Sequence, residues 1–388
     1  MRILYFHQHF STPKGAAGIR SYQLAHAAVS QGHHVTMVCG SYGAGNTGLD
    51  MPFTKGRRRG IVDGIEVIEF NLQYSNADGF LKRAGTFAKF ALSSVGLAMR
   101  ETYDVAFATT TPLTAGLPGI AARWLRRKPF VFEVRDLWPE LPREMGVITN
   151  PGVLGAMSVL EWCSYRSAHR CVALSPGIAK GIARRGVSDA RITMIPNGCD
   201  IGIFQNVGHT PWRPRGVTNE DLMAVFTGAH GQANGLEAVG DGKLKAGLVA
   251  RAKAEALDSV VFHDSVPKER LAGLMAAADI GLQCLANVPA FYYGTSPNKF
   301  FDYISAGLPV LNNYPGWLAD MIVAEECGFA VPPDTPEAFA DALESAAADR
   351  SALKQMGQNA AALAARSFDR GDLARQWVTV VTGAAATS

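Results

Sequence analysis

The stretch Gly294-Thr295-Ser296-Pro297-Asn298-Lys299-Phe300-Phe301-Asp302-Tyr303-Ile304-Ser305-Ala306-Gly307-Leu308-Pro309-Val310 decides the fold. A loop of small residues leads into a helical run, expected over Lys299–Ala306. A Gly-x-Pro turn then leads into an apolar strand, expected over Pro309–Asn312. The first turn of such a helix carries free backbone N–H groups and the positive end of the helix dipole, which together make an anion site. Lys299 adds a point charge suited to a phosphate. Asp302, one turn further on, is placed to accept two hydroxyl hydrogen bonds, as a ribose requires. The plainer reading is a Ser N-cap, Pro at the first helical position and a solvated lysine.

Working outward, the same helix-and-strand grammar recurs. Upstream, Leu222–Thr227 reads as a strand entering Thr227-Gly228-Ala229-His230-Gly231-Gln232-Ala233-Asn234-Gly235, where glycines let backbone approach a pyrophosphate. A Gly-rich βα turn alone is a weak signal. Further strands are expected at Val260–His263 and Ile280–Leu285, and helices at Lys268–Ala277, Leu318–Glu325 and Pro336–Ala347. The tail Ser351–Thr382 is helical in composition, with a break expected at Gly371. One unit is irregular: Gly235–Val239 starts a helix, yet Gly240-Asp241-Gly242 follows at once, too soon for a βαβ unit of about 30 residues. The sheet has lost an element there, or residues are missing between Val239 and Gly240.

In the N-terminal half, seven strands alternate with helices: Arg2–Phe6, His34–Gly40, Ile65–Phe70, Val105–Thr109, Phe130–Glu133, Arg170–Leu174 and Ile192–Ile195. That count makes a complete doubly wound α/β domain. Ser175 reads as an N-cap with Pro176 first in the helix. Phe132–Glu140 (FEVRDLWPE) places Glu133, Arg135 and Asp136 at a strand's carboxyl end, where parallel sheets bind ligands. They read as cleft residues or as a mutually paired salt-bridge cluster. His7 and His9 also follow a strand. No third ligand is spaced to join them, so hydrogen bonding is favoured over metal. No GxGxxG fingerprint is matched at Gly228–Gly235 or at Gly15–Gly18, and no P-loop is present.

With 388 residues the chain exceeds a single core, and 48% hydrophobic with 18% charged residues is globular composition. A net charge of +3 does not suggest nucleic acid. Six scattered cysteines without a C-x-x-C pair fit a reducing cytoplasm. No signal peptide or membrane span is read, so the protein is expected to be soluble or to lie on the inner face of the cytoplasmic membrane. Two basic clusters, Lys55/Arg57/Arg58/Arg59 and Arg123/Arg126/Arg127/Lys128, read as a solvated loop and helix end, or as a surface for anionic lipid or a diphosphate-bearing acceptor.

Together, Phe132–Glu140, Gly228–Gly235 (GAHGQANG) and Ser296–Val310 (SPNKFFDYISAGLPV) resemble glycosyltransferase family 4, the large retaining GT-B family, over nearly the whole chain. Within it the motifs look most like bacterial surface-polysaccharide enzymes similar to the L-fucosamine transferases. The resemblance implies two Rossmann-like domains facing across a cleft: residues 1–200 on the acceptor side, a linker 201–220, a nucleotide-sugar domain 221–368, and a C-terminal helix 369–388 crossing back to the N-domain. It implies a UDP-sugar or other NDP-sugar donor and a saccharide or polyprenyl-diphosphate-linked acceptor. The family's E-x7-E motif maps to Gly294 and Asp302, so the first glutamate is absent. Its phosphate-loop Arg and Lys map to Ala229 and Asn234, and its acceptor-side histidine to Arg135, with Asp136 beside it.

The expected roles are therefore catalytic or orienting for Arg135, Asp136 and Glu133. Donor binding falls to Asp302, Lys299, Asn298, Pro297, Ser296, Gly228, Ala229, His230, Gly231 and Asn234. Gly15, Ala16, Ala17 and Gly18 are acceptor-side. No cofactor is expected, and no metal, because no D-x-D motif appears in the chain. The reading is a hexosyltransferase of surface-polysaccharide or O-antigen synthesis. Its rivals are a UDP-sugar epimerase or phosphorylase on the same fold, or a non-catalytic sugar-nucleotide sensor.

Overall fold

The computed structural model describes residues 1–15, 18–43, 45–74, 78–205, 208, 210–228, 245–264, 266 and 268–386. The irregular Val239–Gly240 junction, with Ala229, His230, Gly231 and Asn234, lies outside the described residues, as do Ala16 and Ala17. The chain divides into two compact units: Met1–Pro196 with Gly371–Ser388, and Asn197–Arg370.

The first unit holds, among the described residues, an eight-stranded sheet of order β3-β4-β2-β1-β5-β6-β7-β8. Its strands are β1 Arg2–Phe6, β2 His34–Tyr42, β3 Arg57–Val62, β4 Ile65–Tyr74, β5 Val105–Thr109, β6 Phe130–Val134, β7 Arg170–Ala173 and β8 Ile192–Met194. All pairings are parallel except β3 with β4. Strand β1 is apolar from Ile3 to Phe6 because both its faces are covered there. Leu4 and Phe6 join a core with Phe90, Leu97, Ala122, Tyr165 and Ile182 from the helices Phe80–Arg100, Gly116–Leu125, Pro151–Ser167 and Pro176–Arg184. Ile3 and Tyr5 point the other way, against Leu24 and Ala28 of the helix Arg20–Ser30 and against the C-terminal helix Arg370–Ala386. That last helix buries Ala374, Trp377, Val378, Val381 and Ala384. Trp377 stacks on Tyr5 at 5.7 Å and meets Phe107 edge-on at 4.9 Å.

Strand β3 corrects the sequence reading of the first basic cluster as a loop. Val62 pairs with Ile65 across Asp63-Gly64, whose φ values of 50° and 80° make a two-residue hairpin turn. Arg58 sits opposite Glu69 and bonds its carboxylate at 2.8 Å. Arg59 bonds Glu66 and, at 3.0 Å, Glu101. Two of the four cations are thus consumed in cross-strand pairing. In the second cluster, Arg126 donates to the carbonyls of Ala98, Met99 and Glu101 and closes the end of the helix Phe80–Arg100. Ser175 caps its helix through the Ile178 amide, with Pro176 first in it.

The second unit carries a four-stranded parallel sheet, β12-β11-β10-β9, among the described residues. These are β9 Ala224–Val225, β10 Ile280–Gln283, β11 Val310–Asn312 and β12 Gly328–Ala330. The strand expected at Val260–His263 is not formed. Val260 and Val261 are 43% and 46% exposed, and Val260 closes a turn onto Leu257 instead. The break expected at Gly371 falls earlier, at Phe368–Asp369, between the helices Arg350–Ser367 and Arg370–Ala386. Of the residues 201–220, expected as a linker, the described ones include several that pack onto this unit. Ile201–Phe204 is a short helix, Trp212 bonds Gly273 and Arg270, and Arg213 pairs with Asp279 at 3.1 Å.

Candidate active site

In the second unit the site is built at the carboxyl ends of β9, β10 and β11. The helix Asn298–Ser305 starts without a side-chain cap, and Pro297 occupies the cap position. Ser296 does not cap it, contrary to the plainer reading. Its hydroxyl accepts from the Asn197 amide at 3.1 Å, and its carbonyl accepts from the Asn197 side chain at 2.5 Å. Asn197 is 3% exposed, so this pin on the loop is shielded from water. Trp317 holds the neighbouring Thr295 carbonyl at 2.8 Å, and Asn313 bridges both backbone groups of Leu285.

Lys299 turns back from the helix onto the loop after β9. Its ammonium lies 3.8 Å from the Phe226 ring centroid, a cation–π contact. Gly228, at φ 138°, occupies a conformation suited to glycine, and a Cβ there would stand 3.6 Å from Lys299 Nζ. The two small-residue loops therefore meet at this lysine. Burial lowers the Lys299 pKa to about 8, opposed by the nearby Cys284, whose own thiol burial pushes up to about 11. Beneath it, Tyr303 receives the Thr227 amide at 2.8 Å and donates to the Leu282 carbonyl, tying β9 to β10. Asp302 is half-buried on the same helix and acts electrostatically on Cys199 and Tyr303. Asn298 is exposed and Pro297 half-buried.

In the first unit the carboxyl ends of β1, β5 and β6 gather the other expected residues. Glu133 is fully buried. Its carboxylate takes Arg20 Nε at 3.1 Å and Nη2 at 2.8 Å, and Thr109 donates to its other oxygen at 2.7 Å. Burial raises its pKa, but Arg20 outweighs this and holds the carboxyl below its usual range. The paired-cluster alternative thus describes Glu133, whose hydrogen-bonded partner is Arg20, while Arg135 acts electrostatically on both Glu133 and Asp136. Arg135 and Asp136 are half-buried. The Arg135 amide donates to Thr110 Oγ1 at 2.8 Å, and Thr111 donates to Asp136 at 3.2 Å. Burial raises the Asp136 pKa, against the pull of Arg135 and Thr111. His7 and His9 are kept neutral by burial first and by Arg135 second, His9 at about 4. Gly15 is half-buried, its amide donating to Thr12, and Gly18 is exposed.

Several site residues were not read from the sequence: Arg20, Thr110, Thr111, Asn197, Phe226 and Cys284. Phe226 and Cys284 were detectable as residues just past strands. Asn197 carries only a turn signal, Pro196-Asn197-Gly198. Arg20 carries no local signal, because its partner is 113 residues away.

Residues 15–198 match the family model described as a Glycosyl transferase 4-like domain, and residues 224–349 the model described as Glycosyl transferases group 1. No curated protein matches the chain by sequence. Among solved structures, the fold is shared with a sucrose-phosphate synthase from Thermosynechococcus elongatus (18% identity, TM-score 0.73, 100% of each chain covered). It is shared with HepE of Anabaena, solved in complex with UDP and glucose (17%, TM-score 0.68, 99% and 100% covered). It is also shared with WaaG, a glycosyltransferase involved in lipopolysaccharide biosynthesis (15%, TM-score 0.67, 99% and 100% covered). With both halves matched and the fold in agreement, the chain belongs to glycosyltransferase family 4 and is an NDP-sugar-dependent glycosyltransferase of the GT-B fold.

Proposed function

We propose that the chain moves a hexosyl group, with retention, from a UDP-sugar to a saccharide or lipid-linked saccharide acceptor in surface-polysaccharide or O-antigen assembly. The observation that carries the donor half of this reading is the meeting of Lys299 with Phe226 and Gly228 beside an uncapped helix N-terminus. That is a cation and a set of backbone donors in one water-poor place, the chemistry a diphosphate needs. HepE, which shares the fold, was solved with UDP-glucose. Asp302 is assigned to the ribose. Ser296, Pro297, Asn298, Lys299 and Gly228 are assigned to the diphosphate, with Ala229, His230, Gly231 and Asn234 completing the loop.

As the bond from the anomeric carbon to the β-phosphate oxygen breaks, the acceptor oxygen bonds to the same carbon. The hydroxyl proton leaves with the diphosphate. The demand is stabilisation of negative charge and orientation of the acceptor, not a strong base. Arg135 and Asp136 are assigned to orientation, and Gly15–Gly18 to the acceptor side. Glu133 is a positioning residue that fixes the end of β6 through Arg20. The test is UDP release from a panel of UDP-sugars, with and without a lipid-linked saccharide. Release only with acceptor supports transfer. Consumption without acceptor marks an epimerase or phosphorylase, and tight binding without turnover marks a sensor.

Peripheral membrane contact belongs to the same proposal. No helix among the described residues is long and apolar enough to cross a membrane. Trp124 and Leu125 are 64% and 68% exposed, and Trp162 is 49% exposed. Arg123 lies over Trp124 and Arg166 over Trp162, while a Trp124–Ser167 hydrogen bond at 2.8 Å joins their two helices. Paired indoles and guanidiniums suit the headgroup layer of an anionic bilayer.

A further inference from the structure

The helix Asn298–Ser305 carries Lys299 and Tyr303 four residues apart, so the two side chains leave one face of it. Lys299 meets Phe226 and Gly228 at the end of β9. Tyr303 meets the residue between them, Thr227, in a place that the register of the sheet explains. Strand β9 is only Ala224–Val225, paired with Ile280 and Gly281 of β10. The Ile280 amide donates to the Met223 carbonyl at 3.4 Å. The residues of one strand that bond a given parallel neighbour alternate along it, so the next is Leu282, and its carbonyl is due the Thr227 amide. Instead, the Thr227 amide donates to the Tyr303 hydroxyl at 2.8 Å, and that hydroxyl donates to the Leu282 carbonyl at 3.2 Å.

A tyrosine hydroxyl has one proton to donate and room to accept from two donors. Thr227 Oγ1 is the second donor, at 3.2 Å, so the hydroxyl's capacity is filled. Burial pushes the Tyr303 pKa up, against the pull of the Thr227 bonds, and keeps the group a neutral hydroxyl able both to accept and to donate. The ring is fully buried, and a Cβ at Gly281 would stand 2.5 Å from it, so the bare backbone of β10 is what lets it lie this deep. One inserted oxygen thus holds the chain leaving β9 away from β10 at Thr227. The residues on either side are the ones that face Lys299. The Phe226 ring centroid is 3.8 Å from its ammonium, and a Cβ at Gly228 would stand 3.4 Å from its Cε. Two side chains of one helix therefore hold three consecutive residues at the entrance of the Gly-rich loop.

We propose that Tyr303 is a positioning residue for the donor's diphosphate: its hydroxyl, inserted between the Thr227 amide and the Leu282 carbonyl, sets the loop entrance against Lys299 and so aims the ammonium. This rests on the reading of Lys299 as the diphosphate's cation. Without the hydroxyl, Thr227 closes directly onto Leu282, and Phe226 and Gly228 are drawn away from the lysine. A cation fixed in advance of the charge it meets stabilises that charge more than one that must be reoriented. Tyr303 itself touches no substrate in this account and acts only through the loop and Lys299.

Tyr303→Phe in the full-length protein removes the hydroxyl and keeps the ring. Lysine ε-methylene protons held over an aromatic face resonate upfield of ordinary lysines, so lysine-selective NMR reads the Lys299–Phe226 contact with no ligand present. Lys299 is assigned by the signal lost in Lys299→Arg. The wild type should show the upfield shift, and Tyr303→Phe should return it towards the ordinary lysine position. Calorimetry on the same samples should find UDP bound about tenfold more weakly by Tyr303→Phe. Uridine affinity should be unchanged, which also shows that the variant folds. In a Lys299→Ala background, Tyr303→Phe should cost UDP nothing further, because both act through one contact. The proposal is overturned by a Lys299 signal that Tyr303→Phe leaves in place, by UDP affinity untouched in Tyr303→Phe while Lys299→Ala loses it, or by losses that multiply in the double variant. Equal UDP affinity of the wild type and Lys299→Ala would count instead against the donor reading, with the Lys299 signal still reporting whether Tyr303 holds the loop.

Discussion

Arg20 Nη2 and Glu133 Oε2 lie 2.8 Å apart with the Glu133 side chain wholly out of solvent, and the same guanidinium also holds the carbonyls of Ile195 and Pro196. One buried pair therefore ties the first helix to the ends of β6 and β8. Removing a single partner strands a charge, which costs about 3–5 kcal/mol. Glu133→Leu or Arg20→Met should lower the urea midpoint of the first unit accordingly. The double variant should recover much of the loss, because a well-packed apolar pair removes both charges. Equal stability of the single variants and the wild type would contradict this.

His9 couples stability to pH with a definite sign. Its pKa falls from 6.5 to about 4 in the folded protein, by burial first and by Arg135 and Arg83 next. The unfolded chain therefore takes up the proton first. The stabilisation is fully present above pH 6.5 and is lost as pH falls towards 4. Each unit of that difference corresponds to about 1.4 kcal/mol. Thermal unfolding across this range should show the wild type losing stability faster than His9→Gln. Parallel pH profiles would refute the assignment.

Much of this was legible in the sequence because it is local. The apolar run Arg2–Phe6, the Ser175-Pro176 start and the Gly294–Val310 loop, helix and strand each carry their own chemistry. The hairpin Arg57–Tyr74 also had a local signal, Asp63-Gly64, but four clustered cations masked the alternation that identifies β3. Their counter-charges Glu66 and Glu69 lie in the next strand, so the pairing appears only with the register. Val260–His263 misled in the opposite direction, since an apolar run makes a strand only where a sheet edge receives it. The long-range ties, Arg20 to Glu133, Asn197 to Ser296 and Lys299 to Phe226, have no sequence signature. They exist because distant strand ends meet.

Membrane contact has an electrostatic and an apolar part. Flotation with anionic vesicles should be weakened by added salt, about 1 kcal/mol being at stake for each surface cation. Trp124→Ala together with Trp162→Ala should weaken it further, whereas Arg58→Gln, whose charge is spent on Glu69, should change little. Binding that persists unchanged in high salt would sink the proposal.

Lys299 makes a second prediction about pH. With a pKa of about 8, it is charged below that pH and neutral above it. UDP affinity should therefore decline as pH rises through 8, by up to about tenfold per pH unit. Lys299→Arg, always charged, should bind with a flat profile over the same range. The same decline in both proteins would assign the effect to another group.

The central claim is that the second unit holds the nucleotide diphosphate where Lys299, Asp302 and Gly228 sit. Calorimetric titration of UDP and of uridine into the wild type and three variants tests it most directly. Asp302→Ala should weaken both ligands by about tenfold or more, the loss of hydrogen bonds to a charged group. Lys299→Ala should weaken UDP far more than uridine, since its partner is phosphate. Gly228→Val should weaken UDP because a side chain at φ 138° strains the loop and crowds the lysine. UDP affinity left intact in all three would contradict the account.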